Sequence, residues 1–480
     1  MMWLPCLLIA LPLTGALCAW LVRSNNARPQ VLVAAGCLHL PLSLAAVFWP
    51  RHDTWGAWLY LDAIGKVFLL EISLLYTACA CYAVGYLRSR SERDNRVLCM
   101  GMLVCLAAMT LTAASRHLGL LWLAIAASTL TMAPLVYFNR NARSIEATWK
   151  FMMIGSVGIA LALLGVFFLA YSTMVAGLEP TLQLEQLIQQ AHLLPTSWLK
   201  AAYVLLLVGF GTKMGLVPMH TWKPDAYGEA PGLVGAMLAG GLANCGFIGL
   251  IRIHQITAAT TLASSCSNML IGIGLFSIAV ATIFLVRQTD FKRMLAYSSV
   301  EHMGLFALAL GLGGKALYGI MLHVIGNGLG KGMMFMVAGN INRAFGSKSR
   351  EVARGALVRM PWSGALFLAG FFAVTGSPPF VTFASEFSFF SASFSRGGLV
   401  LTLLLGLLMS IAFLGMAQTV LPVVFGNPPA TRERTKYRDS AILIVPPLAL
   451  LLIGALAGLW LPEPLHSLFI AAAALLEVKP

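Results

Sequence analysis

Apolar runs of about twenty residues alternate with short polar, mostly basic segments along almost the whole chain. That length is what an α-helix needs to cross a hydrocarbon slab. The runs are continuous, so they do not read as the short alternating segments of a spanning barrel. The expected fold is all-α, a polytopic membrane bundle of fourteen helices. The expected spans are 3–22, 30–49, 62–86, 97–114, 117–138, 148–171, 196–216, 230–253, 267–286, 292–311, 316–342, 361–391, 398–425 and 441–461. The run from Trp3 to Trp20 lacks a basic leader and a small-residue cleavage site, so it is expected to be a retained helix. The stretch Leu465–Leu476 is too short to cross and should lie at the interface or on the bundle.

Composition agrees with lipid as the solvent, because 59% of residues are hydrophobic and only 10% are charged. The net charge of +14 raises the question of nucleic acid, yet the basic residues sit in the short loops between apolar runs. With the N-terminus outside, the inner loops hold Arg23, Arg28, Arg88, Arg90, Arg93, Arg96, Arg140, Arg143, Lys150 and Lys223. Further along they hold Arg287, Lys292, Arg293, Arg343, Lys348, Arg350, Arg354, Arg359, Arg432, Arg434, Lys436 and Arg438. The outer side holds only Arg51, Arg116, Lys200, Arg252, Lys315, Arg396 and Lys479. This asymmetry follows the positive-inside rule and places both termini on the periplasmic side of a bacterial inner membrane. Nine cysteines lie mostly within apolar runs and without ligand spacing, so no metal site is expected. The longest polar excursion is Ser172–Ser197, no other segment could be a soluble domain, and any coupled redox chemistry is expected on another subunit.

Ionisable side chains inside the spans are the candidate chemistry, since each costs at least about 2.5–3.5 kcal/mol at the bilayer centre. Lys213, Lys331 and Glu386 have no route by which to snorkel; Glu71 and Glu301 come next, and Lys66 lies close enough to the outer surface to reach it. Lys213 lies in GFGTKMGLVPMHTWKPDAYGEAP, where Gly209, Gly211, Gly215 and Pro218 interrupt the helix. Glu386 follows Gly376, Pro378 and Pro379 in TGSPPFVTFASEF. A Gly/Pro-broken span carrying one buried charge in each half is the trace of inverted transporter repeats; a kinked helix with a packing ion pair is the alternative. His323, Asn327 and Lys331 recur every four residues and share a helix face, as a proton wire or as interhelical hydrogen-bonding groups. His220, Asp225 and Glu229 lie near the inner mouth of the seventh span, as relay, solvated loop or subunit contact. Glu301 and His302 follow the basic segment DFKRMLAYSSV and read either as part of the relay or as helix-end capping. Moving a proton against about 150 mV takes roughly 3.5 kcal/mol, which a buried lysine gaining or losing a carboxylate partner can supply.

The segments GFGTKMGLVPMHTWKPDAYGEAP, DFKRMLAYSSVEHMG, HVIGNGLGKGMMFMVAGNI and PPFVTFASEF resemble the hallmark segments of the antiporter-like, proton-translocating membrane subunits of complex I and Mrp type. The DAxxEAP and YSSVEHMG forms look most like component F of the hydrogenase-4 and formate hydrogenlyase group. The resemblance implies two inverted five-helix repeats with broken helices 7 and 12. It also implies Lys213 as the lysine of the first break, Lys331 as the central lysine of the second half, Glu386 as the charge of the second break, and His323 on the polar axis. The corresponding division is 1–96 as an N-terminal three-helix segment, 97–253 and 267–425 as the repeats, and 426–480 as a last helix with an interfacial helix. Two positions depart from the pattern. Ala126 stands where the family places a glutamate to pair with Lys213, and Asn244 or Ala239 stands where a basic residue is frequent. Either Glu71 substitutes from another helix or the first half-channel is impaired. The implied function is a proton-translocating subunit of an energy-converting hydrogenase or formate hydrogenlyase-type complex. It would hold no cofactor, bind no nucleic acid, and have membrane subunits and a peripheral hydrogenase/iron–sulfur arm as partners. A complex I membrane-arm subunit, an Mrp-type antiporter subunit and a non-pumping anchor are the alternatives.

Overall fold

The structure, a computed structural model, describes residues 4–48, 54–55, 58–427 and 437–477. The loop charges Arg51, Arg432, Arg434, Lys436 and Lys479, and the span ends at Trp3 and Trp49, lie outside the described residues. Apart from a two-residue antiparallel pairing of 54–55 with 59–60, the architecture is helical. In chain order the helices are α1 Leu4–Leu21, α2 Arg28–Phe48, α3 Ala63–Arg88, α4 Arg96–Ala114, α5 Leu118–Val136 and α6 Ala142–Val175. There follow α7 Leu184–Gln190, α8 Thr196–Met214, α9 Trp222–Glu229, α10 Gly232–Met237, α11 Ala243–Ala258, α12 Ala263–Leu285 and α13 Phe291–Leu312. The last are α14 Lys315–Phe345, α15 Ala356–Arg359, α16 Pro361–Val374, α17 Val381–Phe425, α18 Ala441–Leu459 and α19 Glu463–Ala474.

Local chemistry explains where these helices start. Asp62 caps α3 by accepting from Gly65 N at 2.8 Å, and Asp290 caps α13 by accepting from the Lys292 and Arg293 amides. Asn141 and Ser144 form a reciprocal capping box that opens α6 six residues before the expected span.

Among the described residues twelve helices, not fourteen, are long and apolar enough to cross a bilayer. The two counts part at two places. The helix α8 carries Lys200 and Lys213 near its ends, which leaves it too polar. The expected spans 361–391 and 398–425 meet within α17, which is two helices joined across the non-helical Gly398 (φ 64°), and the first of them follows the fourteen-residue α16.

Burial separates an axis from a shell. The apolar windows of Gly232–Ala258 and Lys315–Phe345 are wholly buried, whereas that of Val381–Phe425 is 22% buried. The axis is therefore α3, α10–α11, α13 and α14, and α1, α6, α12, α17 and α18 present apolar faces outward to lipid. Helix α19 packs on the bundle: Phe469 is buried, and Gln255 donates to Leu475 O at 3.0 Å.

Candidate functional site

Both expected interruptions are present, and each frees backbone carbonyls inside the bundle. Helix α8 ends one residue beyond Lys213 because Gly215 turns left-handed (φ 77°), where a Cβ would lie 2.4 Å from the Lys223 chain. The indole of Trp222 donates to the freed carbonyl of Thr212 at 2.9 Å. Helix α16 ends at Val374, Gly376 reverses the chain (φ 61°), and α17 resumes at Val381. There Thr382 donates to Ala373 O at 2.6 Å, and His302 Nε2 donates to Val374 O at 2.9 Å. Side-chain donors thus satisfy carbonyls that a bilayer could not.

The second break organises most of the candidates. Glu386 lies against it so closely that a Cβ at Gly376 would fall 1.8 Å from the carboxylate. His302 and His323, from α13 and α14, meet through Nδ1 and Nε2 at 2.9 Å, and His323 Nδ1 contacts the Ser385 hydroxyl at 2.7 Å. Lys331 donates to Ser298 Oγ at 2.5 Å and lies within electrostatic reach of Glu301 and Glu386. Glu301 and His302 sit mid-helix in α13, so the capping alternative fails; the cap is Asp290. Because a carbonyl only accepts, neutral His302 must carry its proton on Nε2 and accept at Nδ1 from His323 Nε2. Neutral His323 then accepts at Nδ1 from Ser385. A proton added to His323 Nδ1 turns the Ser385 hydroxyl to its second acceptor, Thr382 O, 2.7 Å away. Ligand atoms of His302, His323 and Glu386 lie within 4.8 Å of one another, as a metal site would require. All four ring nitrogens of the two histidines already have hydrogen-bond partners, which accounts for the geometry by proton sharing alone.

Glu71 is wholly buried on α3 between the two halves. Its carboxylate fits against glycine backbone: a Cβ at Gly328 would lie 2.1 Å from Oε1 and one at Gly240 3.0 Å. Gly240 belongs to a π-helical turn, Leu238–Leu242, that joins α10 to α11 and precedes Asn244. The Asn244 side chain lies within reach of the Glu71 carboxylate, and neither amide atom of Asn327 has a hydrogen-bond partner among the described residues. Buried groups of that kind are held by water.

Lys213 stands apart from this cluster. Its ammonium donates to Thr129 Oγ1 at 2.9 Å, one turn beyond Ala126 on α5, and no carboxylate among the described residues is within 4 Å. Glu71 therefore forms no direct ion pair with Lys213. Lys223 corrects the sequence reading: counted with the inner loops, it is fully buried at the start of α9 and donates to Ser299 Oγ at 3.0 Å. Lys223 and Lys331 thus bond neighbouring serines, Ser299 and Ser298, of the same helix. The only sequence signal for Lys223 was its place within the first broken segment.

Nearer the basic face, Asp225 pairs with Lys150 at 2.9 Å and Arg293 at 2.7 Å, and Glu229 pairs with Lys348 at 2.7 Å. His220, largely buried, lies beside the rings of Phe284 and Tyr297. At the opposite face, Arg116 and Arg252 are buried and not the outer loop charges expected; both pair with Asp62, Arg252 in a two-pronged contact at 2.7 and 2.9 Å. Burial alone would raise the Asp62 carboxyl, but Arg252, Arg116 and the Gly65 amide hold it at about 2. Arg28, counted with the inner loops, is likewise buried and paired with Asp94 at 2.6 Å.

A family model described as NADH:quinone oxidoreductase/Mrp antiporter, TM, matches residues 115–412. The chain is 30% identical over 441 residues to the hydrogenase-4 component F homolog of Methylacidiphilum infernorum (isolate V4), covering 89% of this chain and 90% of that protein. Its fold is similar to a chain of the membrane-bound sulfane sulfur reductase, an archaeal respiratory membrane complex, with TM-score 0.88, 24% identity, and 99% and 98% of the two chains covered. It is also similar to a chain of the Mrp complex from Dietzia sp. DQ12-45-1b, with TM-score 0.86, 19% identity, and 98% and 97% covered.

Proposed function

Since the chain belongs to the NADH:quinone oxidoreductase/Mrp antiporter transmembrane family, we propose that it is the proton-translocating membrane subunit of an energy-converting hydrogenase or formate hydrogenlyase-type complex. Other membrane subunits would join it to a peripheral hydrogenase/iron–sulfur arm carrying the redox chemistry. The observation that carries this reading is Lys331, fully buried on the axis with Ser298, Glu301, Glu386 and the histidine pair around it. A lysine placed there is charged when its carboxylates are charged and loses its proton when they are neutralised. The Ser385–His323–His302 chain takes one excess proton, held between the imidazoles, and returns it when the hydroxyl turns back. Water held by Glu71, Asn244 and Asn327 would link this half to Lys213. His220, Asp225 and Glu229 would serve the inner entrance, where their ion pairs also anchor the loops.

The halves 97–253 and 267–425 would be the inverted repeats, with 1–96 and 426–480 as flanking parts, in a bacterial inner membrane with both termini periplasmic. The likeness to an Mrp complex chain supports an antiporter subunit as the second reading. Ala126 motivates a third, a non-pumping anchor. Vesicles holding the assembled complex separate them. Lys331→Ala and Lys213→Ala should each abolish most proton uptake driven by redox turnover while assembly is kept. Unchanged uptake in both would overturn the pump, and uptake that follows a cation gradient without any redox protein would favour the antiporter.

A further inference from the structure

The basic face contains a cavity of about 460 Å³ at the ends of α3, α13 and α14 and the loops before α6 and α10. Six basic side chains line it: Arg90, Arg93, Arg143, Lys292, Arg343 and Lys348; the single acid is Glu229. Lys348 alone is neutralised, by Glu229 at 2.7 Å. The others have no carboxylate within 4 Å among the described residues, and four of them lean on neutral acceptors. Arg90 donates to Asn139 Oδ1 at 2.9 Å, Arg93 to Phe138 O at 2.9 Å, Arg343 to Ser89 O, and the buried Lys292 to Gly228 O and Ala230 O. The positive-inside rule accounts for basic loops, which are ordinarily dispersed into water. It does not account for their convergence from four stretches of chain on one concavity, where like charges repel and low-dielectric walls strengthen the repulsion.

We propose that this cavity binds a multiply charged phosphate group. Its volume falls within the roughly 300–1,000 Å³ range of small-ligand sites. Three guanidinium groups held by neutral acceptors keep further N–H donors for phosphate oxygens, which suit their planar fork. Phosphate of this kind comes from a free di- or triphosphate or from an anionic phospholipid headgroup, for which basic pockets between transmembrane helices are known acceptors.

The intact complex, purified in detergent and delipidated, is titrated calorimetrically with inorganic pyrophosphate, and samples in nanodiscs with or without cardiolipin are examined for retained lipid by native mass spectrometry. Pyrophosphate binding that weakens at least tenfold in Arg90→Gln/Arg343→Gln identifies the free anion. Cardiolipin retained by the wild type and lost from that variant identifies the lipid. Arg88→Gln, an exposed charge on the same face outside the cavity, should change neither. If the glutamine variant does not assemble, Arg90→Lys/Arg343→Lys keeps the charge and should weaken binding by a smaller factor. Neither probe binding, or Arg88→Gln weakening it as much, overturns the proposal.

Discussion

Ser385 is a neutral residue with two acceptors and one proton. Its hydroxyl lies 2.7 Å from both His323 Nδ1 and Thr382 O, so it donates to one or the other according to whether the histidine pair carries an excess proton. Ser385→Ala removes that choice and leaves His323 Nδ1 without a donor in the neutral state. We expect proton uptake per redox turnover to fall several-fold in Ser385→Ala vesicles, with assembly intact and recovery in Ser385→Thr. A merely packing role would leave alanine active. Hydroxyl groups of this kind, with Thr129 and Ser298, were not legible in the sequence, because serine and threonine on a transmembrane helix ordinarily bond their own backbone. Lys223 and Arg252 escaped for a different reason. Hydropathy places charges at span ends, and only tertiary packing reveals that these two are enclosed.

The interrupted helices were legible, since Gly215, Gly376 and the Pro378–Pro379 pair alter backbone geometry directly. The π turn at Leu238–Leu242 was not, because LAGGL is apolar and only the packed structure brings Glu71 of α3 beside Gly240. The kink at Gly398 falls at the expected boundary before 398, since its left-handed φ of 64° breaks α17 into two helices. The second break supplies the prediction at this scale. Gly376→Ala places a Cβ onto the Glu386 carboxylate and strains a left-handed backbone, two penalties of roughly 1–3 kcal/mol each. Thermal melting of the detergent-solubilised complex should fall by several degrees, and uptake should be lost with Glu386 displaced. Gly177→Ala, also left-handed but with nothing within 4 Å, should carry the backbone cost alone and keep transport.

Across the whole molecule twelve helices of the described residues pass as spans where fourteen were expected, and the buried axis is set by which of them are wholly enclosed. The Asp62–Arg116–Arg252 cluster ties the start of α3 to α11 within that axis. Asp62 precedes α3, Arg252 is on α11, and Arg116 extends the contact to Glu185 at the start of α7. Arg252→Met takes the two-pronged contact from the buried Asp62 and leaves Arg116 as its remaining arginine partner, so it should lower the melting temperature more than a surface arginine substitution. The pH dependence has a definite sign. The native carboxyl titrates near 2 against about 3.9 when unfolded, so unfolding takes up protons as pH falls. Its stabilisation should be complete above about pH 4 and lost between there and pH 2. Melting curves of wild type and Asp62→Asn should therefore differ by a constant interval from pH 7 to 5 and converge below 4. A gap that widens on acidification would show that Asp62 is not held ionised by its arginines.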